Sequence, residues 1–162
     1  PAAVVQELVA VRERLTAEFG ARFLPALVPP WNRIDEAVVT RLPAAGSRDL
    51  STFGPRAAAD SPPGLARCNA HVDPIGWRHD RAFIGLDKAL ERTVAHLRAR
   101  RDGAVDAREP TGILTHHLAF DAPAWSFLDA LLARTRAHRA AQWLCAGPIF
   151  AAAAAVTCGR SA

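Results

Sequence analysis

Two adjacent histidines, His116 and His117, close the short apolar run Thr111-Gly112-Ile113-Leu114-Thr115, with Glu109-Pro110 before it and Asp121 after it. Imidazole is the side chain that exchanges protons near neutral pH. An apolar run that ends in imidazoles and then passes to a helix start delivers them to the end of a buried strand, where alternating α/β folds carry their chemistry. Neighbouring strand residues point to opposite faces, so one of the two faces a site while the other packs or caps. Which one does so stays open. A second group lies upstream, in Cys68-Asn69-Ala70-His71-Val72-Asp73-Pro74-Ile75-Gly76-Trp77-Arg78. Leu65 to Val72 has the pattern of a strand carrying Asn69 and His71 on one face, and Asp73-Pro74 begins a turn. His71 and Asp73 are types suited to a metal or a proton relay. Asp73 is equally suited to satisfying the amides of its own turn.

A third stretch, Pro29-Pro30-Trp31-Asn32-Arg33, follows the apolar run Phe23 to Val28. The prolines end that strand and stiffen a turn. The aromatic face, the amide and the guanidinium that follow are the groups that wall a sugar or carboxylate site, since a Trp face stacks on apolar ring surface and Asn and Arg aim hydrogen bonds. A turn whose Trp is only a lid on the core fits the same residues.

The elements that must position these groups are legible from periodicity. Val4, Leu8, Val11, Leu15 and Phe19 draw one apolar stripe down a helix that Gly20 can end. Ile34 to Leu42 predicts a brief helix with Val38 and Leu42 inward, Leu50 to Phe53 a short strand closed by Gly54, and residues 55–64 a Pro- and Gly-marked loop. Phe83, Leu86, Leu90, Val94 and Leu97 describe a helix that stops near Gly103. After the strand over 111–117, Asp121 caps and Pro123 opens a helix whose core stripe is Trp125, Leu128, Leu131 and Leu132. The alternation of helices and strands predicts a mainly parallel α/β sheet or part of a barrel, in one domain over residues 1–145, with an unpatterned tail over 146–162.

Composition narrows the function classes. Half of the 162 residues are apolar, so the chain is globular and long enough to bury a core. Its net charge of +4 comes from arginines scattered among acids, with Lys88 the single lysine. Only Arg98-Ala99-Arg100-Arg101 forms a run, and the last turn of a helix favours cations for dipole reasons alone, so no nucleic-acid partner is expected. No apolar run approaches the roughly 18 residues of a membrane span and no signal peptide is legible, so no membrane partner is expected and the location expected is cytoplasmic. Cys68, Cys145 and Cys158 are widely spaced without a C-x-x-C pair, which indicates neither a disulfide framework nor a cysteine zinc site. G-x-S-x-G, P-loop and dinucleotide motifs are absent.

Taken in order, Pro29-Pro30-Trp31-Asn32, then Asp73-Pro74-Ile75-Gly76-Trp77, then Leu114-Thr115-His116 resemble the last three motifs of the polysaccharide deacetylase family, the NodB-like carbohydrate esterases. The similarity runs from Phe23 to Trp143. It implies part of a distorted (β/α) barrel with an incomplete set of strands, and a hydrolase that removes acetyl groups from an acetylated sugar or polysaccharide. It also implies a divalent metal, zinc or similar, held by an aspartate and two histidines, whose bound water attacks the acetyl carbonyl. By position, Pro30 and Trp31 resemble the pair that walls the pocket and helps to hold the oxyanion, with Asn32 and Arg33 beside them. Trp77 resembles the tryptophan beneath the site, and His116 the acid that protonates the leaving amine.

The departures are specific. The family's motif arginine falls at Val28, which leaves Arg33 as the nearby replacement. The aspartate usually found before the motif tryptophan is Gly76, which leaves Asp73 as the substitute partner of the catalytic histidine. His117 is a further candidate. The two earlier family motifs, a Thr-Phe-Asp-Asp strand end and a His-x-x-x-His pair, are missing, and residues 1–28 hold neither histidine nor aspartate. The expectation is therefore a carboxy-terminal portion without the metal ligands, inactive alone, whose open sheet edge favours self-association.

Three other readings stay open on the residues. One is a self-contained metal hydrolase on His71, Asp73 and His116 with His117 or Glu109 as base. Another is a glycosidase using Asp73 and Glu109 as paired carboxylates. The last is a carbohydrate-binding or interaction remnant that keeps Trp31, Trp77 and Trp125 as stacking surfaces without turnover.

Overall fold

A computed structural model describes residues 1–57, 61–78 and 80–150. The chain is an α/β protein with a small open three-stranded parallel sheet and several helices. The described residues fall into two compact units, one made of residues 1–69 with the segment that starts at Cys145, the other of Ala70–Leu144.

In the first unit, α1 spans Ala2–Phe19 and ends at Gly20, as the apolar period predicts. The sheet consists of β1 (Ala26–Leu27), β2 (Asp49–Leu50) and β3 (Ala66–Arg67), with β1 and β3 at its edges. Its register pairs Ala26 with Asp49 and Leu27 with Leu50, then Asp49 with Ala66 and Leu50 with Arg67. These strands are shorter than the apolar runs Phe23–Val28, Leu50–Phe53 and Leu65–Val72 suggest, because only a few residues of each run find a parallel neighbour to share backbone hydrogen bonds. The short helix α2 (Glu36–Val39) starts where Asp35 accepts the Ala37 N–H at 2.8 Å. It buries Val38 and Val39 with Leu42, Leu50 and Leu65, and Val5, Leu8, Leu27 and Ile34 pack against that cluster. Each such side chain contributes about 1.5–3 kcal/mol by leaving water. The stripe on α1 differs from the predicted one: Val5 and Leu8 face the core, whereas Val4, Val11 and Phe19 are exposed, because the core lies against one side of the helix only. Gly46, at φ +77°, lies under the Arg12 guanidinium of α1, where a Cβ would collide.

In the second unit, α3 spans Leu86–Arg101 and α4 spans Ala122–Arg136. Helix α4 begins as predicted: Asp121 Oδ1 accepts the Ala124 N–H at 2.9 Å, with Pro123 in the first turn. Its buried residues are Ala124 and Phe127, Leu128, Leu131 and Leu132 are half-buried, and Trp125 turns outward. Helix α3 is the larger correction. Its apolar stripe of Leu86, Leu90, Val94 and Leu97 is exposed, and the buried residues are Ala89 and Thr93, with His96 and Arg100 half-buried on the same face. The small side chains let the helix approach a polar cluster that needs partners, so the helix is oriented by hydrogen bonds and not by its leucines. The predicted strand over 111–117 is reduced to one parallel bridge, Val72 with Ile113.

Among the described residues no helix is long and apolar enough to cross a membrane. Cys68 is buried and Cys145 exposed, and Cys158 lies outside the described residues. Of the predicted tail, residues 146–150 are helical and the alanine run over 151–155 lies outside the described residues.

A pair of variants checks which face of each element is buried. Leu50→Ala should cost about 2–5 kcal/mol in urea unfolding, the range for emptying a core site. Leu90→Gln should change stability by less than about 0.5 kcal/mol, as an exposed position does.

Candidate functional site

The second unit brings Asp73, Trp77 and His116 together. The single parallel bridge runs Val72 beside Ile113, with Val72 N–H and His71 N–H both donating to the Gly112 carbonyl at 3.0 and 2.8 Å and Leu114 N–H donating to the Val72 carbonyl at 2.8 Å. Just past these bridged stretches, the chain delivers Asp73 and His116. The Asp73 oxygens divide their work. Oδ1 accepts the Ile75 N–H at 3.0 Å and closes the turn. Oδ2 accepts the Trp77 indole N–H at 2.8 Å and lies 3.3 Å from His116 Nε2. A carboxylate only accepts, so in this contact the imidazole proton is on Nε2 and Nδ1 is left to meet another group. The Trp77 ring meets His116 edge to face at 4.7 Å and 80°. Both side chains of the pair keep some access to solvent, 25% for His116 and 15% for Asp73. Arg92 of α3 donates to the Asp73 carbonyl at 2.6 Å, which ties the turn to the helix.

His117, the adjacent candidate, is exposed in the following turn and has no hydrogen bond, ion pair or ring contact among the described residues. The two histidines therefore differ in environment, but neither lies in a strand: His116 follows the single bridge and His117 begins the next turn.

His71 belongs to a different, buried cluster. Its Nδ1 accepts the Gly112 N–H at 3.1 Å, and its Nε2 lies 3.2 Å from Glu109 Oε2 with the N–H off the line of an aligned hydrogen bond. The two side chains are 1% and 2% exposed. His96 of α3 stacks on His71 with centroids 3.8 Å apart. His96 Nδ1 is 3.0 Å from Thr111 Oγ1, which also accepts from Arg100 at 3.1 Å. His96 is a residue that the sequence motifs did not single out, and Thr111 and Arg100 were named there only as members of a strand and a basic run. The available signal was the spacing Ala89, Thr93, His96, Arg100, which is a small and polar helix face beside the apolar one. Burial pushes the His96 imidazole down to about 4 from its ordinary 6.5, the His71 ring and the Arg100 guanidinium push the same way, and Glu109 opposes them.

Two of the open readings find no assembled site among the described residues. His71 turns to Glu109 and His96 while Asp73 turns to His116, and no group of three His, Cys, Asp or Glu among the described residues is gathered to hold a metal. The proposed triad of His71, Asp73 and His116 is thus not assembled. Glu109, at 1% exposed, is buried against His71 and does not share an open cleft with Asp73.

Asn69, expected on one face with His71, instead serves the first unit. Its Oδ1 accepts from the Thr52 N–H and hydroxyl at 2.9 and 3.0 Å, and its Nδ2 donates to the Gly54 carbonyl at 2.8 Å. In the same unit the stretch Pro30–Asn32 forms a short 3-10 turn, in which Pro30 is exposed and Trp31 is 89% exposed. Trp31 and Asn32 adopt φ of +52° and +56°, a region that disfavours side chains with a Cβ. Asn32 is half-buried and Arg33 exposed. Trp31 is therefore no lid on the core. A depression of about 450 Å³ lies between α1 and residues 41–45 and contains none of the candidate site residues.

The chain matches no protein-family model, no curated protein and no solved structure.

The lowered His96 value sets a direction for stability against pH. Above 6.5 the imidazole is neutral in both states and contributes no slope. Between 6.5 and about 4 the unfolded chain holds a proton that the folded cluster refuses, so stability falls as pH falls, and below about 4 the loss is complete. Chemical denaturation across this window should show a shallower fall in His96→Gln than in the parent chain, and parallel curves would exclude His96 as the source.

Proposed function

We propose that this chain is a polysaccharide deacetylase-like protein of the NodB type, built on part of a distorted (β/α) barrel with an incomplete set of strands. In this reading it supplies the leaving-group acid for removing an acetyl group from an acetylated amino sugar. The observation that carries the proposal is the joining of Asp73, Trp77 and His116 by a 2.8 Å hydrogen bond, a 3.3 Å carboxylate–imidazole contact and an edge-to-face ring contact. Those residues lie 43 positions apart in sequence at the extreme, and both motifs that contain them are legible in the sequence alone.

The chemistry assigned to the pair is limited to the leaving group. As the tetrahedral carbon collapses, the C–N bond breaks and its electron pair returns to the sugar nitrogen. The His116 imidazolium gives that nitrogen a proton from Nδ1, and the Asp73 carboxylate stabilises the cation while it exists and holds the ring by Nε2. The divalent metal that the resemblance implies has no donor set among the described residues. Attack on the carbonyl is therefore not assigned to them.

Titration of the chain with an acetylated chito-oligosaccharide, followed by NMR, tests the proposal. The Trp77 indole N–H and the His116 ring signals should move, and Trp77→Ala should abolish the effect. Signals that stay put at saturating sugar would sink it. In an enzyme completed with its metal ligands, His116→Ala should lower kcat by about 10²- to 10⁴-fold, the range for losing a general acid, while sugar binding persists.

A second reading, sugar binding without turnover, is favoured by the exposed and strained Trp31, which has the form of a stacking platform. It predicts an exchange of stability for binding. Trp31→Gly should raise stability by about 1 kcal/mol through relief of the left-handed conformation and should weaken sugar affinity. A variant that is both less stable and equally avid would contradict it.

A further inference from the structure

The buried cluster around His71 takes no part in the leaving-group chemistry, yet it adjoins the chain segments that deliver Asp73 and His116. The alignment of those segments rests on very little backbone. One parallel bridge connects them, and a single bridge specifies register weakly compared with a ladder several residues long. The His71 side chain adds what the backbone lacks. The Gly112 carbonyl already accepts from the N–H groups of His71 and Val72, and the Gly112 N–H donates to His71 Nδ1 at 3.1 Å. Both polar groups of Gly112 are thus tied to the strand end that continues into Asp73, one through the main chain and one through an imidazole.

That use of Nδ1 as an acceptor sets the neutral tautomer with its proton on Nε2, the nitrogen that faces Glu109. The stacked ring of His96 then fixes the plane of the imidazole. Carboxylate, stacking ring and backbone amide together hold a ring that is 1% exposed, so it has no contact with substrate and no direct role in proton transfer to one.

We propose that His71 is a positioning residue for the Asp73–His116 pair, acting through Nδ1 as the hydrogen-bond acceptor that registers the strand end bearing His116 against the one bearing Asp73. Its value to catalysis rests on the reading of His116 as the acid, but the positioning itself does not. The proposal requires an acceptor at the place of Nδ1, whereas a merely structural role requires only a filled volume. Asparagine can put its amide oxygen near that place, and leucine fills space without an acceptor.

The experiment compares His71→Asn and His71→Leu in the intact chain by NMR, with Asp73→Asn as the reference for a broken pair. The signals are the Trp77 indole N–H, which reports its bond to Asp73, and the ring-current-shifted C–H protons of His116, which report its contact with Trp77. In His71→Leu both sets should move most of the way to their Asp73→Asn positions, and in His71→Asn they should stay near the parent positions. Parent-like signals in a folded His71→Leu would overturn the proposal. Should that variant not fold, the parent chain decides: 15N spectra must give His71 the Nε2–H tautomer, with a scalar coupling across the Gly112 N–H to Nδ1 hydrogen bond. A proton on Nδ1 would overturn it. None of these signals needs sugar or turnover, so failure of the deacetylase reading would appear separately, as sugar that neither binds nor is deacetylated.

Discussion

A buried carboxylate is the constraint on which the second unit depends. Glu109 is almost wholly removed from water, and a charge so placed is tolerated only with partners close by. His71 meets it from the strand side, and His71 is in turn covered by His96 from α3. Thr111, two residues after Glu109, engages His96 and Arg100 of the same helix. The segment that leads to His116 is thus tied by polar contacts to the helix on one side and to the strand end on the other. A pair of this kind adds little net stability over a well-packed apolar alternative, because desolvation offsets the attraction. What it does supply is direction, since each contact has a donor and an acceptor at a defined place.

The orientation of α3 follows from that network. A helix with leucines at Leu86, Leu90 and Leu97 and a valine at Val94 would normally bury them. Here those side chains stay about half exposed while Ala89 and Thr93 are buried, and Thr93 donates its hydroxyl to the Ala89 carbonyl at 2.8 Å. Turning these side chains inward would add apolar burial, but it would take Arg100 and His96 away from Thr111 and His96 off the His71 ring, leaving buried polar groups to find other partners. The face that is buried is the one that carries these polar contacts.

The first unit is governed by ordinary packing. Its core of Val38, Val39, Leu42, Leu50 and Leu65 is apolar, its strands are only two residues long, and Asn69 closes the gap between segments by pairing with Thr52 and Gly54. Trp31 stands apart from this pattern. It is a large aromatic side chain left in water on a backbone conformation that costs about 1–3 kcal/mol. Neither core packing nor hydrogen bonding within the unit accounts for it, which is why a recognition role is the reading proposed.

Local rules were enough to read several features from the sequence. The course of α1 to its end at Gly20, the start of α4 at Asp121, a brief helix within residues 34–42, the parallel character of the sheet and the inward position of Val38 and Leu42 follow from spacing and from side chains that hydrogen-bond to their own neighbours. The residue types at Asp73, Trp77 and His116 were likewise visible as chemistry. Their contact was not determined by any local rule, because it spans 43 residues and depends on which carboxylate oxygen the turn leaves available. The separation of His116 from His117, the withdrawal of His71 and Glu109 into a buried pair, and the outward face of α3 were decided only in the tertiary structure. Periodicity records which residues share a face, but it does not record which face finds polar partners on distant segments, and in α3 that is the face turned inward.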